Sequence, residues 1–511
     1  MSSDSRKHGD GESDGGTDGP VSRRRFVRVA GATGAAGLVA GCSTRNPDEG
    51  SGSETSEGTS GGSEGTTTGE SGGSAGGSIE IATADIQGHR DAFRQALRDG
   101  GLSEDVEISF LATSGISGDV QSQYRQWLQA GRGQPDIMRM DSGWTIPFIQ
   151  RGQIANLTEA LPDETVTSIN ENYFAATVDA VSDADGNLYG VPYQIGLPTV
   201  QYRKDLVEQA GFNPSEENWA TEPMSWEKFS NVISQTHQQV DDVDYGYSWQ
   251  ASNYVGLSCC TFNELMSTWG GAYFGGRDTL FGPVGERPVT VDGEQVIQAL
   301  RMARTFIRGQ DDEYALDGYQ SISPTDVLQW TEGPSQSQFL DGNSVSLRYW
   351  PSALPPAHEE FGDDLGVMPI PYGIPESEAE YEGLGGTISA LGGWNMVLNP
   401  NTENRSAALQ VLQAIDSEPF RQFQLEELDL LPPDTAALGE DRIGDIPVWG
   451  EYAETLQIAG ENAMPRPVTV VWPDESPAIA ERVSAVLAGQ EAPDAAMSEL
   501  KSTLETIESS V

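Results

Sequence analysis

The order of apolar and polar residues predicts strands and helices that take turns along the chain. Strand-like alternation occurs at residues 78–82, 106–110 and 135–140, and apolar residues follow helical spacing at 89–98 and 120–130. Because strand and helix alternate, we predict an α/β fold built on a parallel sheet.

The second half of the chain continues in the same style, without an internal repeat. Ser225 is a suitable N-cap for the helix predicted after it, because its hydroxyl can accept a hydrogen bond from a free backbone N–H. Residues 385–398 are apolar and glycine-rich, which is typical of a strand with a tight crossing. The remaining predictions are an extended stretch at 188–202 and helices at 225–236, 295–307, 402–415 and 478–487.

Composition adds an extreme negative charge. The chain of 511 residues carries 78 acidic and 29 basic residues, only four of them lysine, for a net charge of -49. Mutual repulsion of so many carboxylates is screened in concentrated salt, where the Debye length is about 3 Å at 1 M, so we predict a halophilic protein. The charge argues against nucleic acid and anionic membrane surfaces as partners, because both are bound by Lys and Arg.

The cysteines and histidines indicate neither a disulfide framework nor a metal site. Of the three cysteines, Cys259 and Cys260 are adjacent, where a bridge would be strained, and Cys42 stands apart. The four histidines lack the close spacing of zinc ligands. No cofactor-binding motif is found, so we expect no metal and no cofactor.

The N-terminal region has the pattern of an export signal. Residues 22–28, "SRRRFVR", resemble a twin-arginine signal, and the apolar run at 29–40 is shorter than the about 20 residues that span a bilayer. "VAGC" resembles a lipobox that ends in Cys42, the predicted lipidation site. The alternative is that Cys42 is an incidental thiol.

A polar linker follows this signal. Residues 43–78 are mainly Gly, Ser, Thr and Glu, with almost nothing apolar to bury, which is typical of a flexible tether. We therefore predict a signal peptide at 1–41, a lipidated cysteine with its tether at 42–78, and a globular body after it. The mature protein would be anchored at the extracellular face of the cell membrane.

Several segments of the body, in this order, resemble one family. They are "QYRQWLQAGRGQPDIMRMDSGW", "GVPYQIGLPTVQYRKDLVEQAGF", "VSLRYWPS", "GGWNMVLNPNTENRSAALQVLQAI" and "MPRPVTVVWPDESPAIAERVSAVLAGQ". Together they are similar to the extracellular solute-binding proteins of carbohydrate ABC transporters, the group that includes maltose- and trehalose-binding proteins. The resemblance runs from about residue 79 to the C-terminus.

The resemblance implies a periplasmic-binding-protein-like fold of type II, with two α/β lobes joined by a hinge and a ligand cleft between them. The chain would cross between the lobes three times, near 191–196, 386–392 and 430–435. The lobes so implied are 79–192 with 393–431, and 193–392 with 432–511.

The same resemblance directs attention to two tryptophans. A sugar has C–H groups on its ring faces and hydroxyls at its rim, so Trp350 and Trp394 are stacking candidates, with a place in the core as the alternative. Gly393 would let the backbone approach a ligand, or simply form a tight turn.

Polar residues are candidates for hydrogen bonds with the hydroxyl groups of the ligand. Asp141, at the end of a strand, can accept hydrogen bonds from hydroxyl pairs or can cap the next helix. Arg466, held between two prolines, can present its guanidinium to a ligand or form a surface ion pair. Gln87 and Tyr193 are further candidates that could equally be loop and packing residues.

The sequence therefore predicts a protein that captures a sugar, a mono-, di- or oligosaccharide of the trehalose or maltose kind, and delivers it to an ABC transporter permease. Many sugar-binding relatives carry an acidic residue where this chain has Gly196, so the sugar is left open. We expect a monomer that is not an enzyme. The alternatives are an exported glycoside hydrolase, which needs two carboxylates about 5 to 9.5 Å apart, and a surface adhesion or stalk protein.

Overall fold

A computed structural model describes residues 77–511, except positions 85, 115, 116, 242 and 445. These residues belong to one compact unit, Gly72–Val511. The predicted export signal, Cys42 and most of the predicted tether lie outside the described residues. In the described part of the chain, no helix has both the length and the apolar character needed to cross a membrane.

Eleven strands are found in the described residues. They are β1 (Gly77–Thr83), β2 (Val106–Ala112), β3 (Ile137–Asp141), β4 (Gly190–Gly196), β5 (Thr199–Arg203), β6 (Tyr245–Ser248), β7 (Ser344–Tyr349), β8 (Leu365–Met368), β9 (Ser389–Ala390), β10 (Gly392–Leu398) and β11 (Ala463–Met464). They form a five-stranded sheet of order β2-β1-β3-β10-β4, a four-stranded sheet of order β6-β7-β5-β8 and a pair β11-β9.

Both larger sheets are mixed, so the prediction of a parallel sheet is only partly right. β1 is parallel to β2 and β3, whereas β10 lies antiparallel between β3 and β4. In the second sheet β5 is antiparallel to β7 and β8, and only β6 and β7 are parallel. Alternating strands and helices imply parallel pairing only while consecutive strands stay in one sheet, and here the chain changes sheets.

Seventeen α-helices accompany the sheets in the same described residues. They are α1 (Arg90–Asp99), α2 (Ser117–Gln129), α3 (Ser142–Gln150), α4 (Asp163–Asn172), α5 (Ala175–Asp179), α6 (Lys204–Gln209), α7 (Trp226–Gln239), α8 (Phe262–Thr268), α9 (Glu294–Arg308), α10 (Glu332–Leu340), α11 (Leu354–Phe361), α12 (Arg405–Ile415), α13 (Glu418–Glu427), α14 (Glu440–Ile443), α15 (Ala453–Glu461), α16 (Trp472–Leu487) and α17 (Pro493–Glu508). The predicted helices are all present, and Ser225 caps α7 by accepting a hydrogen bond from the backbone N–H of Lys228 at 3.1 Å.

Helices pack apolar side chains against both sheets, and the largest buried cluster includes residues of both. Beside the first sheet, α1 packs on α13 through edge-to-face contacts of Phe93 with Phe420 and Phe423, at centroid distances of 5.0 and 5.7 Å. Beside the second sheet, α7 buries Trp226 against Phe306 of α9 at 5.8 Å. Cys259 and Cys260 are buried free thiols in a π-helical turn, Leu257–Thr261, that belongs to this second core.

The chain passes between the two sheets three times. β4 ends at Gly196 and β5 begins at Thr199, so the first crossing is immediate. The second follows β9 into β10. In the third, after α13, the carbonyl of Leu431 accepts a hydrogen bond from the N–H of Ile195 at 3.0 Å. The predicted fold, two α/β halves joined by three crossings, is therefore correct.

Candidate ligand site at the crossing between the sheets

Asp141 ends β3 and is held by three donors. Its Oδ1 accepts hydrogen bonds from the backbone N–H of Gly143 at 2.7 Å and from Nη1 of Arg466 at 2.6 Å. Its Oδ2 accepts a hydrogen bond from the hydroxyl of Ser117 at 2.7 Å. Asp141 is thus the N-cap of α3, the alternative considered for it, and it is an ion-pair partner as well.

Arg466 reaches this carboxylate from the segment after β11. The side chains of Arg466 and Asp141 are only 11% and 10% exposed, so the pair is not the surface ion pair that the sequence left open. Burial disfavours the charge, but the carboxylate outweighs it and keeps the pKa of Arg466 above its ordinary value. A Cβ at Gly143 would lie 1.8 Å from Nη1 of Arg466, so this approach requires glycine.

Trp394 lies beside Asp141, because the two residues face each other in the pairing of β10 with β3. The indole is partly exposed, and the guanidinium carbon of Arg139 lies 3.8 Å from its ring centroid. Nη2 of Arg139 also donates a hydrogen bond to Oε1 of Gln194 on β4 at 2.9 Å. One face of the indole is therefore covered by a cation.

Trp350 repeats this arrangement from the second sheet. It follows β7, is partly exposed, and lies 4.4 Å from the guanidinium carbon of Arg348. Arg348 forms a buried, two-point ion pair with Glu264 at 2.9 and 3.0 Å, and Glu264 also accepts a hydrogen bond from the N–H of Ala390. We call Asp141, Arg466 and the two Trp–Arg pairs the tryptophan cluster.

Glycines at the crossing make room for Trp350. A Cβ at Gly196 would lie 2.9 Å from Cδ1 of Trp350, and one at Gly392 would lie 2.8 Å from Nε1. An acidic side chain at Gly196 would therefore collide with this indole, which is a physical reason for the departure from the sugar-binding relatives. Gly393 has φ +142°, and a Cβ there would lie 2.3 Å from the carbonyl oxygen of Gln194.

The two weaker candidates are a buried tyrosine and an exposed glutamine. The ring of Tyr193 is 1% exposed and packs 6.2 Å from the ring of Phe420, and burial raises its pKa to about 12. It has the packing role that the sequence left open. Gln87 is exposed in a short 3-10 helix, Gln87–His89, after β1, at the sheet edge where β3 also ends.

Two large cavities are lined by residues outside the tryptophan cluster. One, of about 670 Å³, is lined by α3, the loop around Asp183 and Phe281. The other, of about 730 Å³, has five acidic residues among its lining: Asp278, Glu376, Glu380, Glu382 and Glu461. Neither cavity is lined by a tryptophan, and the candidate site is distinguished by its side-chain chemistry and not by a large cavity.

Sequence reasoning missed the polar partners of both tryptophans: Arg139, Gln194, Arg348 and Glu264. Arg139 had a usable signal, because "IMRMD" places an arginine on the same side of an otherwise apolar strand as Asp141. Glu264 had none, since its place beside Arg348, 84 residues away, depends on how α8 packs on the second sheet.

The fold and this cluster define a two-sheet α/β protein whose polar and aromatic groups converge where the chain crosses between the sheets. A family model described as "Bacterial extracellular solute-binding protein" matches residues 100–423, so the chain belongs to that family. It is the solute-binding component of an ABC transporter and not an enzyme, which removes the glycoside hydrolase alternative.

Similar proteins agree with this assignment. A "Probable ABC transporter-binding protein" of Deinococcus radiodurans is 24% identical over 75% of this chain and 82% of its own length. The maltose-bound MalE3 of T. maritima is 21% identical, with a TM-score of 0.66 over 84% of this chain and 99% of its own. UgpB of Mycobacterium tuberculosis, in complex with glycerophosphocholine, is 14% identical, with a TM-score of 0.62 over 84% and 97%.

Proposed function

We propose that this protein captures a sugar between its two halves and delivers it to an ABC transporter permease. The observation that carries the proposal is the convergence of two partly exposed tryptophans from different sheets on one crossing. Trp394 belongs to β10 of the first sheet, and Trp350 follows β7 of the second. A ligand that touches both indoles would contact both halves of the protein at once.

The chemistry of the cluster suits a polyhydroxylated ligand. Each indole has a guanidinium on one face, so a sugar ring would stack its C–H groups on the other face. The Asp141–Arg466 pair lies beside Trp394 and supplies an acceptor and donors for hydroxyls at the ring edge. Nε of Arg466 is buried and has no hydrogen-bond partner among the described residues, so it could donate a hydrogen bond to a ligand hydroxyl.

Lobe closure would couple binding to transport. We propose lobes of 79–192 with 393–431 and of 193–392 with 432–511, although β4 pairs with β10 as far as Gly196, which favours a first boundary a few residues later. Ligand contacts from both lobes favour the closed state, and the permease would recognise the closed, loaded form.

The proposal includes the location of the protein. Export by the twin-arginine route and lipid on Cys42 would hold a monomer at the extracellular face of the membrane, free to move on its tether. The high negative charge suits work in concentrated salt. Mass spectrometry of the purified protein tests the anchor, because a mature N-terminus other than lipidated Cys42 would contradict it.

Relatives support a hydroxyl-rich ligand but do not select one. The ligands bound in the two structures named above are maltose and glycerophosphocholine. Calorimetry in multimolar salt against glucose, maltose, trehalose and longer glucans is the direct test. We expect a saturable heat with at least one of them, and the absence of heat with all of them would contradict the sugar assignment.

A matched variant pair locates the site. Replacing Trp394 with Ala should weaken the binding that calorimetry detects, whereas Trp127→Ala should not. Trp127 is a suitable control because it is also partly exposed and lies 5.1 Å from an arginine, Arg132, but belongs to α2 outside the cluster.

A further inference from the structure

The three arginines of the tryptophan cluster differ in how their charge is balanced. Arg466 is paired with Asp141 at 2.6 Å, and Arg348 is paired with Glu264 at 2.9 and 3.0 Å. For Arg139, no carboxylate oxygen of a described residue lies within the 4.0 Å that defines an ion pair. Its polar partner is the neutral amide of Gln194.

This imbalance is unusual in a chain with 78 acidic residues and a net charge of -49. A guanidinium removed from water normally has a counter-ion, because an unpaired buried charge is costly. Burial lowers the pKa of Arg139 to about 10, and the group is therefore still a cation at neutral pH. Asp141 raises this pKa from a distance, but its carboxylate is already paired with Arg466. The cluster therefore holds three guanidinium groups and two carboxylates, in a protein with an excess of carboxylates.

The position of Arg139 suits contact with a ligand. It lies on β3 two residues before Asp141, on the same side of the strand, and it is partly exposed. The indole of Trp394 and the amide of Gln194 fix the plane of the guanidinium. A guanidinium has five N–H donors in a fork that matches two oxygens of one anionic group, and the contact with Gln194 uses one of them.

We propose that the ligand is an anionic sugar or polyol, and that Arg139 binds its carboxylate or phosphate group. This inference rests on the proposed function and narrows it to one chemical class. The anionic group supplies the counter-ion that Arg139 lacks, while the rest of the ligand stacks on the tryptophans. The rival explanation is that Arg139 only supports the ring of Trp394.

Pairs of neutral and anionic probes separate the contribution of the anionic group to affinity from that of the sugar or polyol. Calorimetry with the full chain in one multimolar salt buffer compares glucose with glucuronate, glucose with glucose 6-phosphate, and glycerol with glycerol 3-phosphate. We expect at least one anionic probe to bind about tenfold or more tightly than its neutral partner, since hydrogen bonds to charged groups are the stronger ones. The carboxylate and phosphate arms then show which group is preferred.

Variants assign that preference to Arg139. Arg139→Gln should weaken binding of the anionic probe about tenfold more than binding of its neutral partner, and Arg139→Lys should restore part of that difference. Arg132→Gln is the matched control, because Arg132 also lies over a tryptophan but is exposed outside the cluster. It makes the same change in net charge and should leave the preference intact.

The possible outcomes separate the preference for an anionic ligand from sugar binding itself. If neutral sugars bind and their anionic partners do not bind more tightly, the inference is wrong and the sugar-binding proposal stands. An equal loss of neutral and anionic binding in Arg139→Gln would support the rival supporting role. If no probe and no sugar binds, both proposals fail. The comparison of probes with the unmodified protein remains decisive even if a variant does not fold.

Discussion

The two Trp–Arg pairs look alike but differ in one carboxylate. At Trp350, the stacked Arg348 is fully buried and is neutralised by Glu264, which also holds the N–H of Ala390. At Trp394, the stacked Arg139 is partly exposed, and among the described residues its side chain pairs with the amide of Gln194 and with no carboxylate. The surroundings of Arg348 are those of a structural ion pair, whereas those of Arg139 leave room for an anionic partner.

The difference shows that a shared motif need not have a shared role. A closed network of paired charges fixes the position of Trp350, because breaking it leaves a buried charge. At Trp394 the guanidinium of Arg139 donates one hydrogen bond to a neutral amide and retains unused donors. Substitutions at the two pairs should therefore differ in their effects on stability and on binding.

Glu264→Gln should destabilise the protein strongly, because it leaves the buried guanidinium of Arg348 without its carboxylate. We expect the free energy of unfolding to fall by about 3–5 kcal/mol, measured by denaturant titration in constant salt. The double variant Glu264→Gln/Arg348→Met should recover much of the loss, since it removes both charges. A Glu264→Gln variant as stable as the unmodified protein would contradict the structural role of this pair.

Each tryptophan should contribute to binding, and only one also depends on a buried ion pair. Trp350→Ala and Trp394→Ala should each weaken binding of the best calorimetric ligand by about 1–3 kcal/mol. Trp127→Ala serves as the control for both. Unchanged affinity in both cluster variants would remove the tryptophans from the site.

Gly196→Ala should disturb Trp350 and leave Trp394 in place. Its Cβ would lie 2.9 Å from Cδ1 of Trp350, and such overpacking costs about 1–3 kcal/mol, partly relieved if the indole moves. We expect weaker binding and a changed tryptophan fluorescence spectrum. Gly118→Ala is the control, because a Cβ there would meet no atom within 4 Å. Equal spectra for all three proteins would contradict the close packing at Gly196.

Arg139→Met should have the smallest effect on stability. It removes a cation that lacks a carboxylate, so the lost cation–π contact and hydrogen bond are offset by relief of desolvation. We expect the free energy of unfolding to change by less than about 1 kcal/mol in the same titration. A loss as large as that of Glu264→Gln would show that Arg139 is as structural as Arg348.

Much of the fold could be predicted from local pattern. Period-two alternation located β1, β2 and β3, helical spacing located α1 and α9, and Ser225 marked the start of α7. Strand direction could not be predicted in this way. β10 returns to the first sheet after a long excursion through the second, and no local signal shows that it pairs antiparallel with β3.

For the candidate site, the sequence allowed individual residues to be chosen by their side-chain chemistry, but it did not show which of them contact each other. The sequence identified Asp141 and Arg466 separately, and folding brought them to 2.6 Å across 325 positions. The sequence also made Tyr193 a candidate, because tyrosine is common in binding sites. The fold instead buries its ring in the core beside the first sheet.

The sequence by itself determined the class of fold, the acidic surface and the presence of tryptophans near a glycine-rich crossing, because these follow from periodicity, composition and backbone freedom. Tertiary structure alone decided which guanidinium has a carboxylate and which does not. Charge balance depends on distances of a few ångströms between residues far apart in the chain, and such distances exist only after the sheets and helices have packed.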